Sequence, residues 1–418
     1  MFEQLFKYRS ALVRQNASAL SIERRHYLEH LARQQISPSV LKIAAYYTVA
    51  IVERLHLADN SDKPVTAATI DRHAIRWARR DPARAWQGVG SSPRQRFRHY
   101  AKDWLRFMGR LEEPHRPAGP FDEQIAAFAT YMADEQGLSP VTIRGRILVL
   151  HDLLARSRVD PRSLRSLTVT DLDRSMDRKL ARHRYTRGTI SSYGCVLRAF
   201  FRFAAIRGWC RKDLADSIHV PHIYRRESVP FGPIWTDVQR LLATAAGPQP
   251  VKVRNRAILL LLSVYGLRAG EVVRLRLDDF EWTTERLKIW RPKQRKAQEF
   301  PLIRSVGDAV LDYLRRARPI SACREVFLTC RPPYRPLLAA SLWPLVAQPL
   351  RALNVKLPHY GPHCLRHACA THLLDAGLPL KNIGDQLGHR HPDSTRIYTK
   401  VDLPHLREVG TVDLSGLL

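Results

Sequence analysis

Residues 362–400 read PHCLRHACATHLLDAGLPLKNIGDQLGHRHPDSTRIYTK. Within this stretch His363 and Arg366 stand at i, i+3, a spacing that puts both on one face of a helix. His389 follows in LGHR and Tyr398 in RIYTK. The stretch therefore combines a permanently charged guanidinium, two imidazoles that titrate near neutrality, and a phenol.

Two segments upstream extend the set. GLRAGEVVRL (266–275) places Arg268 just after a glycine turn, at the start of a helix. RLKIWRPKQRKAQEFPLI (286–303) changes period: two short β-type runs, LKIW and EFPLI, flank a basic polar centre, which predicts a β-hairpin. Lys293 and Lys296 both fall in that centre. Together these residue types meet the needs of phosphodiester cleavage without metal or water. A tyrosine can attack and leave a covalent intermediate. Fixed cations can hold the oxygens that gain charge in the transition state, and two arginines on one phosphate make a bidentate clamp. A further group must protonate the leaving oxygen, and another must manage the phenolic proton.

These segments resemble the tyrosine recombinase/integrase family, which includes phage integrases and chromosome-dimer resolvases. GLRAGE looks like the family's arginine box, HCLRH like its His-x-x-Arg box, and the intervals 363–389 and 389–398 fit its spacing. The resemblance covers roughly residues 121–418 and is most specific in the last third. It implies catalytic roles for Arg268, Lys293, His363, Arg366 and His389, with Tyr398 as nucleophile. Lys293 would protonate the 5′-oxygen leaving group. Counting back from the FPL strand favours it, with Lys296 as the alternative; Arg291-Pro292 stands where the family usually has glycine. His363 would partner the tyrosine proton and His389 a non-bridging oxygen. The resemblance further implies a 3′-phosphotyrosine intermediate, no cofactor, and strand exchange by a tetramer on paired recombination sites in double-stranded DNA. Accessory DNA-bending proteins or partner recombinases would assist, and the carrier would be a mobile element. Relatives dock a C-terminal segment on a neighbouring protomer. The apolar pattern Leu403, Leu406, Val409 predicts the same here, with packing in cis as the alternative. A type IB topoisomerase-like relaxing enzyme and a non-catalytic DNA-binding protein are the competing functions.

Other residues in these segments have structural readings. His367, His372 and His391 read as core or helix contacts, Glu271 as a buried helix-pairing residue, and Asp278 and Asp279 as turn or cap residues. Tyr265, inside an apolar run, reads as core, and Tyr360 as a loop residue. His363, Cys364, His367, Cys369 and His372 form a dense His/Cys cluster. The cysteines fall away from the face shared by His363 and His367, so no metal site is expected.

Composition agrees with a polyanionic partner. Lys and Arg number 68 against 39 Asp and Glu, a formal charge of +29 that opposes compaction and favours nucleic acid. The six cysteines contain no C-x-x-C pair, which argues against a disulfide framework and fits a reducing, cytoplasmic compartment. MFEQLFKYRSALVRQ lacks the continuous apolar core of a signal peptide. AILLLLSVYG (257–266) is about half of the ~20 residues a membrane span needs, so it predicts a buried helix and no membrane partner.

The expected fold is mainly α with a small β-hairpin or sheet: helical N-terminal domains followed by a catalytic domain. Residues 1–113 form a helical extension that could bind flanking arm sites. In it, IRWARRDPARAW and RQRFRHYAKDWLRF interleave arginines with aromatics, a pattern that fits either nucleic-acid stacking or an amphipathic core helix. Residues 121–218 form a helical core-DNA-binding domain in which Arg144, Arg146, Arg198 and Arg202, with Lys296 of the hairpin, are candidate DNA contacts. Residues 219–233 are a linker rich in proline and basic residues. Residues 234–418 form the catalytic domain with its docking tail.

Overall fold

The computed structural model describes residues 1–59, 63–79, 93–112, 119, 121–154, 164–181, 185–222, 231–292, 294, 296–389 and 393–398. Lys293, His391 and the proposed docking tail lie outside the described residues, as does part of the 219–233 linker. The chain divides into two units, Glu112–Glu227 and the remainder, Met1–Leu111 with Ser228–Leu418. No described helix is long and apolar enough to cross a membrane.

The first 111 residues contribute helices α1 (Phe2–Leu5), α2 (Arg9–Ala17), α3 (Ser21–Arg33), α4 (Pro38–Leu55), α5 (Ala67–Arg79) and α6 (Pro93–Phe107). Strands β1 (Val65–Thr66) and β2 (Leu111–Glu112) form a two-stranded pairing. Pro38 occupies the first turn of α4, as the Ser-Pro signal predicts. On α6 the buried residues are Phe97, Ala101, Trp104 and Leu105, whereas Arg94, His99 and Arg106 are exposed. The helical period thus sends Phe97 and Trp104 into the core and leaves cations outside. Those two aromatics are packing residues rather than stacking platforms.

The second unit is a four-helix assembly: α7 (Asp122–Asp134), α8 (Pro140–Leu154), α9 (Val169–Leu180) and α10 (Arg187–Ile206). Its core gathers Phe121, Phe128, Met132, Leu150, Phe200 and Phe201. Thr168 and Asp171 form a reciprocal capping box at the start of α9. Gly194 on α10 lies against Val220, where an added Cβ would come within 1.9 Å of the valine side chain.

The C-terminal part carries α11 (Trp235–Thr244), α12 (Pro250–Val264) and α13 (Ala269–Val272), then β3 (Phe280–Glu281), β4 (Arg286–Arg291) and β5 (Lys296–Pro301). Helices α14 (Arg304–Arg316), α15 (Leu342–Ala352), α16 (His363–Asp375), α17 (Leu380–Leu387) and α18 (Asp393–Arg396) follow. The apolar run 257–262 is buried on every side within α12, which packs against α14 and α16. β3, β4 and β5 form an antiparallel sheet with Arg286 opposite Pro301 and Arg291 opposite Lys296. Along β4 burial alternates, so Leu287, Ile289 and Arg291 face inward while Lys288 and Trp290 face out. That parity puts a guanidinium on the core side of the hairpin.

Candidate active site

Two chain reversals bring the site together. After α12 the backbone turns at Gly266, whose φ of +60° suits glycine and whose missing side chain makes room. A Cβ there would lie 2.5 Å from Leu387 Cδ2 and 3.3 Å from Cys369 Sγ. Arg268 follows at the N-cap of α13. Helix α17 ends at Gly388, also left-handed at φ +62°. A Cβ at 388 would sit 2.5 Å from Arg291 Nε, so the hairpin guanidinium occupies the space the glycine vacates.

Glu271 stands at the centre and is 4% exposed. It accepts from the Arg268 backbone N at 2.9 Å and from Arg268 Nη1 at 2.8 Å. Arg291 Nη1 reaches both of its oxygens at 3.3 Å. Arg291 also donates to the carbonyls of Leu387 and Gln386, each at 2.9 Å, and to Gln298 Oε1 at 2.6 Å. Arg366, buried on α16, donates to the carbonyls of Gly266 at 2.7 Å and Leu387 at 2.6 Å. Arg268 Nη2 donates to the Gly388 carbonyl at 3.2 Å.

Arg268 and Arg291 therefore share one carboxylate, and Arg366 lies within reach of its charge. Burial lowers the Arg366 pKa to about 10, and the charges of Arg268 and Arg291 push the same way. Burial also lowers Arg291, against the opposing pull of Glu271. A partly buried cluster with surplus positive charge is completed by an anion, and planar guanidiniums match a phosphate.

His389 and His367 are held neutral. Burial, then the charges of Arg366, Arg268 and Arg291, lower His389 to about 3. Its Nδ1 lies 2.7 Å from Thr395 Oγ1. With that hydroxyl donating, the ring hydrogen sits on Nε2, which becomes a donor. His367 is lowered to about 4 by burial, His363 and Arg366. Its Nδ1 lies 2.9 Å from the Tyr398 hydroxyl, and its ring meets that of His363 edge-on at 4.6 Å.

Tyr398 is 1% exposed and packs with Ala370, Leu374, Ile383 and Leu387. Burial raises its pKa to about 12 against the lowering charge of Arg366. It is a neutral phenol at physiological pH beside a neutral imidazole, and with the ring hydrogen on Nε2 the hydroxyl donates to Nδ1.

The structure thus brings Arg268, Arg366, His363, His389 and Tyr398 into one neighbourhood, with Lys293 outside the described residues. It differs from the sequence reading in three respects. The imidazole of His367, read from sequence as a core contact, lies against the phenol. Glu271 is buried as expected, but it neutralises arginines rather than pairing helices. Arg291, not singled out from sequence, is fully buried in the cluster; the inward parity of IWR against LKI was the available signal. On α16, His372 and Cys369 point elsewhere than the His363–His367 pair: His372 stacks face to face on Trp235 at 3.9 Å, and Cys369 Sγ points to the Val264 carbonyl. Among the described residues no His, Cys, Asp or Glu group is arranged to hold a metal ion.

The candidate DNA contacts divide. Arg144 and Arg202 are exposed, the latter paired with Asp216 at 3.2 Å. Arg146 reaches Met132 Sδ at 3.7 Å. Arg198 is committed to the Ile218 carbonyl through Nε at 3.0 Å and Nη2 at 2.6 Å, a structural tie rather than a free cation. Lys296 opens β5 and is exposed. Tyr265, as expected, is core: its hydroxyl donates to the Pro301 carbonyl and accepts from Ile303 N, both at 2.8 Å. Asp279 accepts from Arg276 N at 2.7 Å, a cap as expected.

A tyrosine beside an arginine cluster, on helices flanking a lysine-bearing hairpin, defines the tyrosine recombinase class of DNA strand-transferring enzymes. Residues 236–405 match the model of the phage integrase family. A putative integrase/recombinase, y4rF, of Sinorhizobium fredii is 31% identical over 98% of this chain and 95% of its own length. The tyrosine recombinase XerC of Alcanivorax borkumensis is 32% identical over 69% of this chain and 92% of its own. Among solved structures, a lambda integrase dimer bound to a COC′ core site aligns with a TM-score of 0.52 at 15% identity, covering 66% of this chain and 94% of that one. The chain belongs to the phage integrase family of tyrosine recombinases.

Proposed function

We propose that this chain is a site-specific recombinase or integrase of a mobile element, and that the Arg268–Glu271–Arg291–Arg366 cluster receives the scissile phosphate of double-stranded DNA. The single observation that carries this reading is the imbalance of three buried or half-buried guanidiniums against one carboxylate beside the Tyr398 phenol. Tyr398 Oη attacks phosphorus, the P–O5′ bond breaks, and a 3′-phosphotyrosine forms. The phenolic hydrogen passes to the imidazole at His367, with His363 behind it, and the hairpin lysine, Lys293 or Lys296, supplies the proton that the departing 5′-oxygen takes. A 5′-hydroxyl from a partner strand then reverses the step. The ester conserves the bond energy, so no nucleotide or cofactor is required. Strand exchange between two sites calls for a tetramer on paired DNA, assisted by DNA-bending or partner proteins. XerC and y4rF are named as a recombinase and a putative integrase/recombinase, which favours exchange over relaxation alone. Residues 1–113 would contact flanking DNA through the exposed cations of α6.

The test is covalent capture. A randomised library of nicked duplexes is incubated with the protein, and adducts surviving denaturation are sequenced. The wild type is expected to capture a discrete sequence class and Tyr398→Phe to capture none while still retarding DNA. Equal capture by both proteins would refute the assignment.

A further inference from the structure

Arg291 lies on the hairpin, outside the residues that the family resemblance designates, yet it is 1% exposed and donates to three separate segments. Through Nη1 it meets Glu271, the carboxylate that also orients the backbone and guanidinium of Arg268. Through Nη1 and Nη2 it holds the carbonyls of Leu387 and Gln386, the last residues of α17 before Gly388 and His389. Through Nε it is braced by Gln298 of β5, which itself donates to the Asp385 carbonyl at 3.0 Å. These are C-terminal carbonyls of a helix, that of Leu387 shared with Arg366, and a buried cation is a suitable partner for them. The missing side chain at Gly388 gives the guanidinium its space.

We infer that Arg291 is a positioning residue for strand cleavage, fixing Arg268 through Glu271 and His389 through the end of α17 against one hairpin. It does not itself touch the phosphate. This rests on the reading of the cluster as the phosphate site. A lysine at 291 could keep a charge near Glu271, but one ammonium on a flexible stem cannot span a carboxylate, two carbonyls and an amide in fixed geometry.

The experiment uses the full-length chain and the nicked duplex recovered by covalent capture. Arg291→Lys is compared with Gln298→Ala, which removes the brace on Nε and the amide's own bond to the Asp385 carbonyl. Four quantities are read: the duplex Kd, the fraction of protein that forms adduct, the single-turnover rate constant of that fraction, and thermal melting. For Arg291→Lys the rate constant is expected to fall 30-fold or more while Kd changes less than threefold; Gln298→Ala is expected to lose several-fold in rate in a fully folded protein. A merely structural role would reduce the active fraction and the melting temperature and leave the rate constant unchanged, and that result overturns the inference. If Arg291→Lys fails to fold, Gln298→Ala decides: an unchanged rate constant overturns the inference. Wild type that forms no Tyr398 adduct refutes the phosphate-site reading instead, so the two failures are distinct.

Discussion

The hydroxyl of Tyr398 lies 2.9 Å from Nδ1 of His367, inside an apolar pocket formed by α16, α17 and the tyrosine's own segment. A neutral donor meets a neutral acceptor there, because burial raises the phenol to about 12 and lowers the imidazole to about 4. Leaving one partner alone in that pocket costs more than removing both. His367→Leu is therefore expected to destabilise the protein by about 1–3 kcal/mol, the usual penalty for a buried unsatisfied polar group. Adding Tyr398→Phe to it should recover most of the loss. Urea unfolding of the two single variants and the double variant measures the coupling; strictly additive effects would mean the contact carries no stability.

Glu271 is the counterion of two arginines. Glu271→Gln keeps the shape and removes the charge, leaving buried cations uncompensated. Breaking a buried pair in this way costs on the order of 3–5 kcal/mol. Melting in low salt should fall by many degrees, and inorganic phosphate or duplex DNA should restore part of it. No effect of phosphate on the variant would contradict the assignment of the cluster as an anion site.

Stability should depend on pH through His367 and His389. Their folded values, about 4 and about 3, lie below the ordinary 6.5. Between roughly pH 6.5 and 4 the unfolded chain binds protons that the folded chain refuses, so stability is complete above that window and declines as pH falls through it. Melting temperatures at pH 7.0 and 5.0 check this. His389→Asn should flatten part of the slope, and a slope identical to wild type would show that this ring is not held neutral.

Gly388→Ala combines a left-handed φ of +62° with a Cβ 2.5 Å from Arg291 Nε. The backbone alone costs about 1–2 kcal/mol for a residue with a side chain. The displaced guanidinium must also give up its bonds to the end of α17. Cleavage is expected to fall further than DNA binding, and retained wild-type cleavage would show that the close approach is dispensable.

The helices were legible because their apolar residues recur at helical period, and Ser37-Pro38 marks the start of α4. The hairpin was legible from its change to alternation. His363, Arg366, His389 and Tyr398 could be named because motif spacing records chemistry directly. Arg291 escaped because a buried cation on a strand looks, in one dimension, like the exposed cations beside it. Only the pairing register and the vacancy at Gly388 show which way it faces. His367 escaped for a related reason: i, i+4 from His363 gives a shared face but not the identity of the neighbour, which arrives from a helix 31 residues away.

On the proposed reading Arg268 and Arg366 hold a phosphodiester, and the rejoined strand would present the same group as the uncut one. An anion cradle built this way has no chemical means of telling reactant from product. It accelerates cutting and sealing alike and holds both DNAs equally well. If the cradle works this way, departure would have to be driven from outside it, by strain in the duplex, and turnover would be slow.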